Sequence, residues 1–250
     1  MSNDFKFRCS SLGLIMTDAQ SIDEQFVTDE IAAVQRRTKR TDDEKALLQA
    51  LKDKSLSAGA KTYIESLAKE SLYCFHEVVT GKYMDKGLIV EDESIALYNS
   101  VFFTDYVKNT ERRTDDFITG ECDIIVPGVA GIDIKSSWSL ATFPATAAAG
   151  HDKLYEWQCR GYMRLWNVPA WEVAYCMVNT PDELIKYEQE ELHYVDHIDP
   201  ALRVTVVRYE RDMELEAKIV SKVRAARQYF DRIVCEIKRQ HNLTEEACTP

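Results

Sequence analysis

Apolar positions follow a helical rhythm in the first third of the chain. Residues 20–54 and 57–80 carry hydrophobic side chains three and four apart, with Leu67, Leu72, Phe75, Val78 and Val79 in the second stretch. Ser57 stands where a helix cap belongs. Residues 81–87, Gly-Lys-Tyr-Met-Asp-Lys-Gly, read as a turn, and a further helix is predicted over 88–107. The pattern changes near residue 117. Phe117–Thr119, Cys122–Val126 and Ile132–Lys135 are short, apolar and β-branched, and Pro127-Gly128 lies between the last two. That is a strand–turn–strand signature. Helical spacing returns over 151–167, and a buried strand follows at Trp171–Val178, ended by Asn179-Thr180-Pro181. Residues 181–200 hold seven acids and one lysine and predict an acidic helix. Arg203–Tyr209 alternates as an edge strand does, and a long helix is expected over 211–241.

This order predicts an α/β (α+β) fold with a small mixed central β-sheet flanked by helices. No repeat and no Pro/Gly/Ser-rich linker interrupts the chain, so a single domain over 1–250 is expected: a helical part at 1–80, a core at 86–210 and the helix at 211–241. With 45% apolar and 10% aromatic residues among 250, the chain can build a core, which sets it apart from disordered sequences. It has no run of about 18 apolar residues, so no membrane span is expected. The start, MSNDFKFRCSS, lacks the apolar stretch of a secretory signal. Seven dispersed cysteines without a CxxC predict reduced thiols in a cytoplasmic protein, with no zinc ribbon or iron–sulfur cluster. His193 and His197 have i,i+4 spacing, but an acidic surface helix accounts for them more simply than a metal pair.

Charge changes the functional picture. With 31 basic and 42 acidic residues, the net charge of −11 excludes a uniformly basic grip on nucleic acid. Basic residues are nonetheless concentrated at Arg36-Arg37-Thr38-Lys39-Arg40 and over 203–241, where ten basic residues face six acids.

The candidate chemistry lies in the strand–turn–strand. Asp133 and Lys135 are two apart on one strand and share a face, while Ile132 and Ile134 point to the other. A three-residue turn, Pro127-Gly128-Val129, would bring Asp123 opposite Asp133. Two hard oxygen ligands suit Mg²⁺ or Mn²⁺, not zinc. A lysine beside such an ion can orient an attacking water and stabilise developing charge. A solvated hairpin whose polar face meets water would explain the same residues, and the spacing alone does not decide between the two. Upstream, Glu91 follows Lys86-Gly87 on a helix and offers a third carboxylate; an acidic first turn favoured by the helix dipole is the other explanation. Downstream, Gln158 and Tyr162 share a helix face at i,i+4, as ordinary packing residues also do.

Taken together and in this order, a helix glutamate after a KG turn, Asp123, Asp133-x-Lys135, Gln158-x-x-x-Tyr162 and a strand ending Asn-Thr-Pro, the elements resemble the PD-(D/E)XK nuclease superfamily. More narrowly they resemble its lambda-exonuclease-like, YqaJ-type phage recombination exonucleases, over Lys86 to about Pro181. The resemblance implies a restriction-endonuclease-like core and a metal-dependent exonuclease acting 5′→3′ on linear double-stranded DNA, with one or two Mg²⁺ or Mn²⁺ ions. It implies Asp123, Asp133, Glu91 and the Ile134 carbonyl as metal ligands, Lys135 as the water-positioning or activating group, and Gln158 and Tyr162 as catalytic supports. It assigns Ser136, Ser137 and Trp138 to DNA contact or to bracing the site, and Arg8 and Ser11 to a terminal-phosphate pocket. Two departures stand out: cysteine precedes Asp123 where the superfamily name has proline, and the second acid is Asp133, shorter than glutamate. The implied partners are DNA, a single-strand annealing protein and further copies in a ring-shaped trimer, in the cytoplasm of a bacterial host if the chain is phage-encoded. The basic residues, Arg36 and Arg37 among them, are where DNA is expected to lie. A restriction-type endonuclease or resolvase of the same fold, and a catalytically silent binding module, are the competing readings. A Cas4-like nuclease is disfavoured by the scattered cysteines.

Overall fold

The computed structural model describes residues 5–78 and 80–243, so Val79 and Cys248 lie outside the described residues. The chain divides into two compact units. Unit one takes the residues up to Glu77, Asp116–Ile118 and those from Met213 onward; unit two takes Val78–Asp115 and Thr119–Asp212.

Unit one begins with a short strand, β1 (Phe7–Arg8), and α1 (Leu12–Met16). The single helix expected over 20–54 is two, α2 (Asp29–Arg36) and α3 (Asp42–Lys54). Each has its own cap: the Thr28 hydroxyl accepts the Ile31 N–H, and Thr41 and Glu44 form a reciprocal capping box. Two capping signals restart the helix where hydrophobic spacing alone reads as continuous. Ser57 caps α4 (Ala58–Tyr73) by accepting the Ala60 N–H at 3.1 Å, as its position predicts. That helix stops seven residues before the expected limit, with Cys74 in the left-handed conformation.

Unit two opens with a correction. Residues 81–87 are not a turn: α5 (Lys82–Ile89) runs through them, and α6 (Glu91–Phe102) follows after Val90. An interior Gly87 costs a helix about 1 kcal/mol. Against that stands Lys86, wholly buried, whose ammonium donates to the carbonyls of Ser137 (2.7 Å), Trp138 (3.1 Å) and Val178 (3.0 Å). These tertiary hydrogen bonds override the local turn preference. β2 (Arg112–Thr114) pairs antiparallel with β3 (Ile118–Glu121). The main sheet contains β4 (Ile124–Val126), β5 (Ala130–Ser136), β6 (Ala170–Cys176) and β7 (Val204–Glu210) in that spatial order. β5 and β6 are parallel, while the two outer pairs are antiparallel, so the sheet is small and mixed as expected.

One face of this sheet, with Ile124, Ile132, Ile134 and Ala174, packs on Ile95, Leu97 and Tyr98 of α6. Another helix, α7 (Lys153–Trp166), packs on β5 and β6 and is capped by Asp152. Gly131 is obligatory here: a Cβ would lie 2.2 Å from the indole of fully buried Trp171. The acidic helix expected over 181–200 is also corrected. Only α8 (Asp182–Ile185) forms, followed by turns. Asn179 caps the backbone N–H of Val195 and holds Asp196, and these local bonds compete with a helix. His193 and His197 therefore share no helix face.

The final helix, α9 (Met213–Gln240), returns to unit one and packs against α1 and α4. It buries Ile219, Val223, Ala226 and Phe230, and with them Lys222 and Arg227. Buried cations are tolerable when every donor has an acceptor. Lys222 donates to Ser55 O, and Arg227 to the carbonyls of Phe5 (2.8 Å) and Asp116.

Candidate active site

The connection between β4 and β5 fixes the site. Val126 pairs with Ala130, leaving Pro127-Gly128-Val129 as the three-residue turn. Gly128 has φ +74°, and Val129 N–H donates to Val126 O at 3.0 Å. Pro followed by a positive-φ Gly is what a type II turn demands. The same register, Ile124 with Ile132, sets Asp123 level with Asp133. Asp123 sits just before β4, and its Oδ2 accepts the Ile134 N–H at 2.6 Å.

Asp133 is 2% exposed. Its Oδ1 accepts from Gln158 Nε2 at 3.1 Å; Gln158 Nε2 also lies 3.2 Å from the Tyr162 hydroxyl, which donates to Glu121 O at 2.9 Å. The chain of contacts runs from β3 through α7 to the carboxylate and sets its orientation. Lys135 Nζ lies 2.7 Å from Asp133 Oδ2 as an ion pair and 4.6 Å from the Tyr155 ring centre. That ammonium is off the hydrogen-bonding direction, for Asp133 Oδ2 has no hydrogen-bond partner. A buried carboxylate oxygen held only by an ion pair, with no hydrogen bond, keeps capacity for a further positive charge beside Lys135.

Electrostatics agree with that reading of the oxygen. Burial, and then the neighbouring Asp133 charge, push the Asp123 carboxyl up to about 7. Burial pulls Lys135 down, but the attraction of the Asp133 carboxylate, with Tyr155 and Asp123, outweighs it and holds the ammonium above the ordinary lysine range. Glu91 lines the same cleft of about 620 Å³, where its carboxylate is paired with Lys108. Among the described residues no three His, Cys, Asp or Glu side chains converge as a ready-made metal cage. Two carboxylates and a backbone carbonyl suit Mg²⁺, which keeps several of its waters.

No family model matches the sequence, and no curated protein matches it. Solved structures do. A phage-related exonuclease from Haemophilus somnus 129PT is 30% identical, with a TM-score of 0.77 over 94% of this chain and 97% of that one. The chain belongs to the lambda-exonuclease-like, YqaJ-type branch of the PD-(D/E)XK nucleases. An alkaline exonuclease from Laribacter hongkongensis shares the fold at 16% identity, with a TM-score of 0.62 over 96% of this chain and 95% of that one. The same enzyme in complex with dAMP gives 0.61 at 17% identity, over 95% and 93%.

In this YqaJ-type nuclease the residues expected at the site fall into two sets. Glu91, Asp123, Asp133, Ile134, Lys135, Gln158 and Tyr162 line one cleft of unit two, with Ser136, Ser137 and Trp138. Ser136 shares a hydroxyl contact with Ser94 at 2.8 Å, and Ser137 N–H donates to Cys176 O. Trp138 is buried, with its indole N–H on Glu188. Arg8, Ser11, Arg36 and Arg37 belong to unit one. Arg8 and Arg36 are exposed, and Ser11 hydrogen-bonds Tyr63. Arg37 pairs with Glu44, and Arg40 is turned onto the carbonyls of Val34 and Gln35. Some basic residues of 203–241 are buried, Lys222 and Arg227 on carbonyls and Arg203 with Asp196, while Arg208 is exposed and pairs with Glu172 and Glu210 on the surface. The basic segments are therefore less available to DNA than their composition predicts. Sequence reasoning missed Tyr155 beside Lys135 and the buried role of Lys86. A lysine followed directly by Gly87 and the apolar run Leu88-Ile89-Val90 was the available signal for the second. Among the described residues no helix is long and apolar enough to cross a membrane.

Proposed function

We propose that the chain is a Mg²⁺- or Mn²⁺-dependent deoxyribonuclease. It acts as an exonuclease hydrolysing phosphodiester bonds of linear double-stranded DNA, 5′→3′, in phage-type recombination or DNA processing. The observation that carries this is Asp133 Oδ2, buried without a hydrogen bond, between Asp123 and the Lys135 ammonium. Asp123, Asp133 and the Ile134 carbonyl would hold the ion, with Glu91 exchanging Lys108 for it. The ion supplies positive charge that activates water and offsets charge on the phosphoryl oxygens.

The residues themselves orient and stabilise. Lys135, held as an ammonium, donates to the attacking water and to a phosphoryl oxygen; it is a positioning donor, not the base. Gln158 keeps Asp133 from rotating, and Tyr162 keeps Gln158 in place. In-line attack forms the bond from the water oxygen to phosphorus and breaks the bond to the leaving 3′-oxygen; the water's proton passes to solvent in the open cleft, and the 3′-oxygen takes one from solvent. A homo-oligomer and a single-strand annealing partner belong to the same reading, and the mass in solution tests the first. The test of function is digestion of linear, end-blocked and circular duplexes with Mg²⁺ and with EDTA. Degradation of linear DNA alone, stopped by EDTA, is expected. Cutting of circles would make the protein an endonuclease, and no degradation of any substrate would favour a silent binding module.

A further inference from the structure

Lys135 carries its charge on a flexible four-carbon stem beside an open cleft. Two neighbours limit where the ammonium can go. Asp133 Oδ2 lies 2.7 Å away as an ion pair and takes no hydrogen bond. The Tyr155 ring lies under the ammonium, with its centre 4.6 Å from Nζ. A ring face attracts a cation out to about 6 Å. It does so through its quadrupole and not through a lone pair, so it leaves the ammonium's N–H donors unspent.

The ring is itself held in place. Tyr155 stands on the first turn of α7, on the face that also carries Gln158 and Tyr162. Asp152 caps that turn, accepting the N–H of Leu154 at 2.6 Å and of Tyr155 at 3.4 Å. Tyr175 is the partner of Lys135 in the β5–β6 register, and its ring centre lies 6.3 Å from that of Tyr155, tilted by 55°. The Tyr175 hydroxyl donates to Gly150 O at 2.7 Å, which anchors this brace just before the helix. Among the described residues no hydrogen bond engages the Tyr155 hydroxyl.

We propose that Tyr155 is a positioning residue whose ring face, and not its hydroxyl, holds the Lys135 ammonium beside Asp133 with its donors free for the attacking water and a phosphoryl oxygen. This rests on the reading of the cleft as a phosphodiester site. Gln158, supported by Tyr162, restrains the Asp133 carboxylate through hydrogen bonds. Tyr155, one turn earlier on the same helix, restrains the lysine paired with that carboxylate. One face of α7 thus orients both members of the ion pair. A carbonyl in place of the ring would hold the lysine as firmly, but it would consume a proton the reaction uses. Removing the ring lets the ammonium swing toward cleft water, so the loss falls on the chemical step and not on DNA binding.

The test is steady-state digestion of linear duplex with Mg²⁺ by Tyr155→Leu, by Tyr155→Phe and by Tyr155→Leu combined with Lys135→Ala. Proton NMR of the Lys135 side chain in EDTA accompanies it. Tyr155→Leu should lower kcat about tenfold with KM within about twofold, the order expected for loss of one cation–π contact. Tyr155→Phe, which keeps the ring, should rescue that loss. On the Lys135→Ala background Tyr155→Leu should cost nothing further. Protons above a ring face are shielded, so the Lys135 ε-methylene signal, identified by its loss in Lys135→Ala, should lie upfield of the ordinary lysine position in the wild type. In Tyr155→Leu it should return to that position. An unchanged kcat, a rise in KM alone, a Phe variant as slow as the Leu variant, or a further loss on the Lys135→Ala background would overturn the proposal. If the wild type degrades no DNA, the functional reading fails by itself. In that case, or if Tyr155→Leu does not fold, the wild-type signal decides: an ε-methylene at the ordinary lysine position overturns the role of Tyr155, and an upfield one upholds it.

Discussion

Lys86 and Lys135 belong to the same compact unit, and both have lost most contact with water, yet their neighbours treat them in opposite ways. Three backbone carbonyls surround the Lys86 ammonium within 3.1 Å, one for each of its protons. Burial pulls its pKa down to about 8, still above neutrality, and its charge is spent on tying α5 to the strand ends after β5 and β6. Lys135 keeps 26% of its side chain open to the cleft and faces a carboxylate that is itself under-bonded. Two acids crowd beside it, and one of them is forced toward its protonated form. A satisfied buried charge holds a fold together. An unsatisfied group of charges facing a cleft is available for chemistry.

The contrast is sharpest where the site should fail and the fold should not. Asp133→Asn, which keeps the side chain's shape and an oxygen for Gln158, should abolish Mg²⁺-dependent degradation of linear DNA while thermal unfolding occurs near the wild-type temperature, since the crowding against Asp123 is relieved as the Lys135 pair is lost. A large drop in melting temperature would place Asp133 with the structural group instead. Lys86→Met should do the reverse. Leaving carbonyls without a donor costs about 1–3 kcal/mol each, so denaturant titration should show a loss of at least about 3 kcal/mol. Next in size is Gly131→Ala, which forces a methyl onto the Trp171 ring; overpacking of this kind costs about 1–3 kcal/mol in the same titration.

The smallest effect is a pH slope. Asp123 binds its proton more tightly in the folded protein, with a value of about 7 against an ordinary 3.8. The folded state then carries more protons than the unfolded one between those values, so stability falls as pH rises through that window. Metal-free wild type, compared with Asp123→Asn in EDTA, should lose melting temperature from pH 5 to pH 8 by more than the variant does. Added Mg²⁺ should restore the difference most strongly at the alkaline end, where the carboxylates need no deprotonation. Parallel curves for the two proteins would show that Asp123 is not under strain.

The site was more legible in the sequence than its surroundings. A period of two on apolar strands and one Pro-Gly turn suffice to set Asp123 against Asp133, because strand register is a local matter of counting residues. Gln158 and Tyr162 were legible for the same reason, on a helix face. What escaped were groups whose role depends on distant backbone. Gly81 and Gly87 made 81–87 look like a turn, whereas the partners of Lys86 that hold it helical lie about fifty and ninety residues away. His193 looked like a surface residue of an acidic helix, yet it is buried against Thr180 and Glu188. The basic residues of α9 looked like a surface for DNA, but Lys222 and Arg227 are consumed by carbonyls inside unit one.

The central claim concerns Lys135, and its replacement tests that claim most directly. Lys135→Ala should fold, bind linear DNA and degrade it with Mg²⁺ about 10²–10³-fold more slowly than the wild type, the range for loss of one positioned donor that stabilises developing charge. A folded Lys135→Ala protein that digests linear DNA at a rate within tenfold of the wild type would contradict the account.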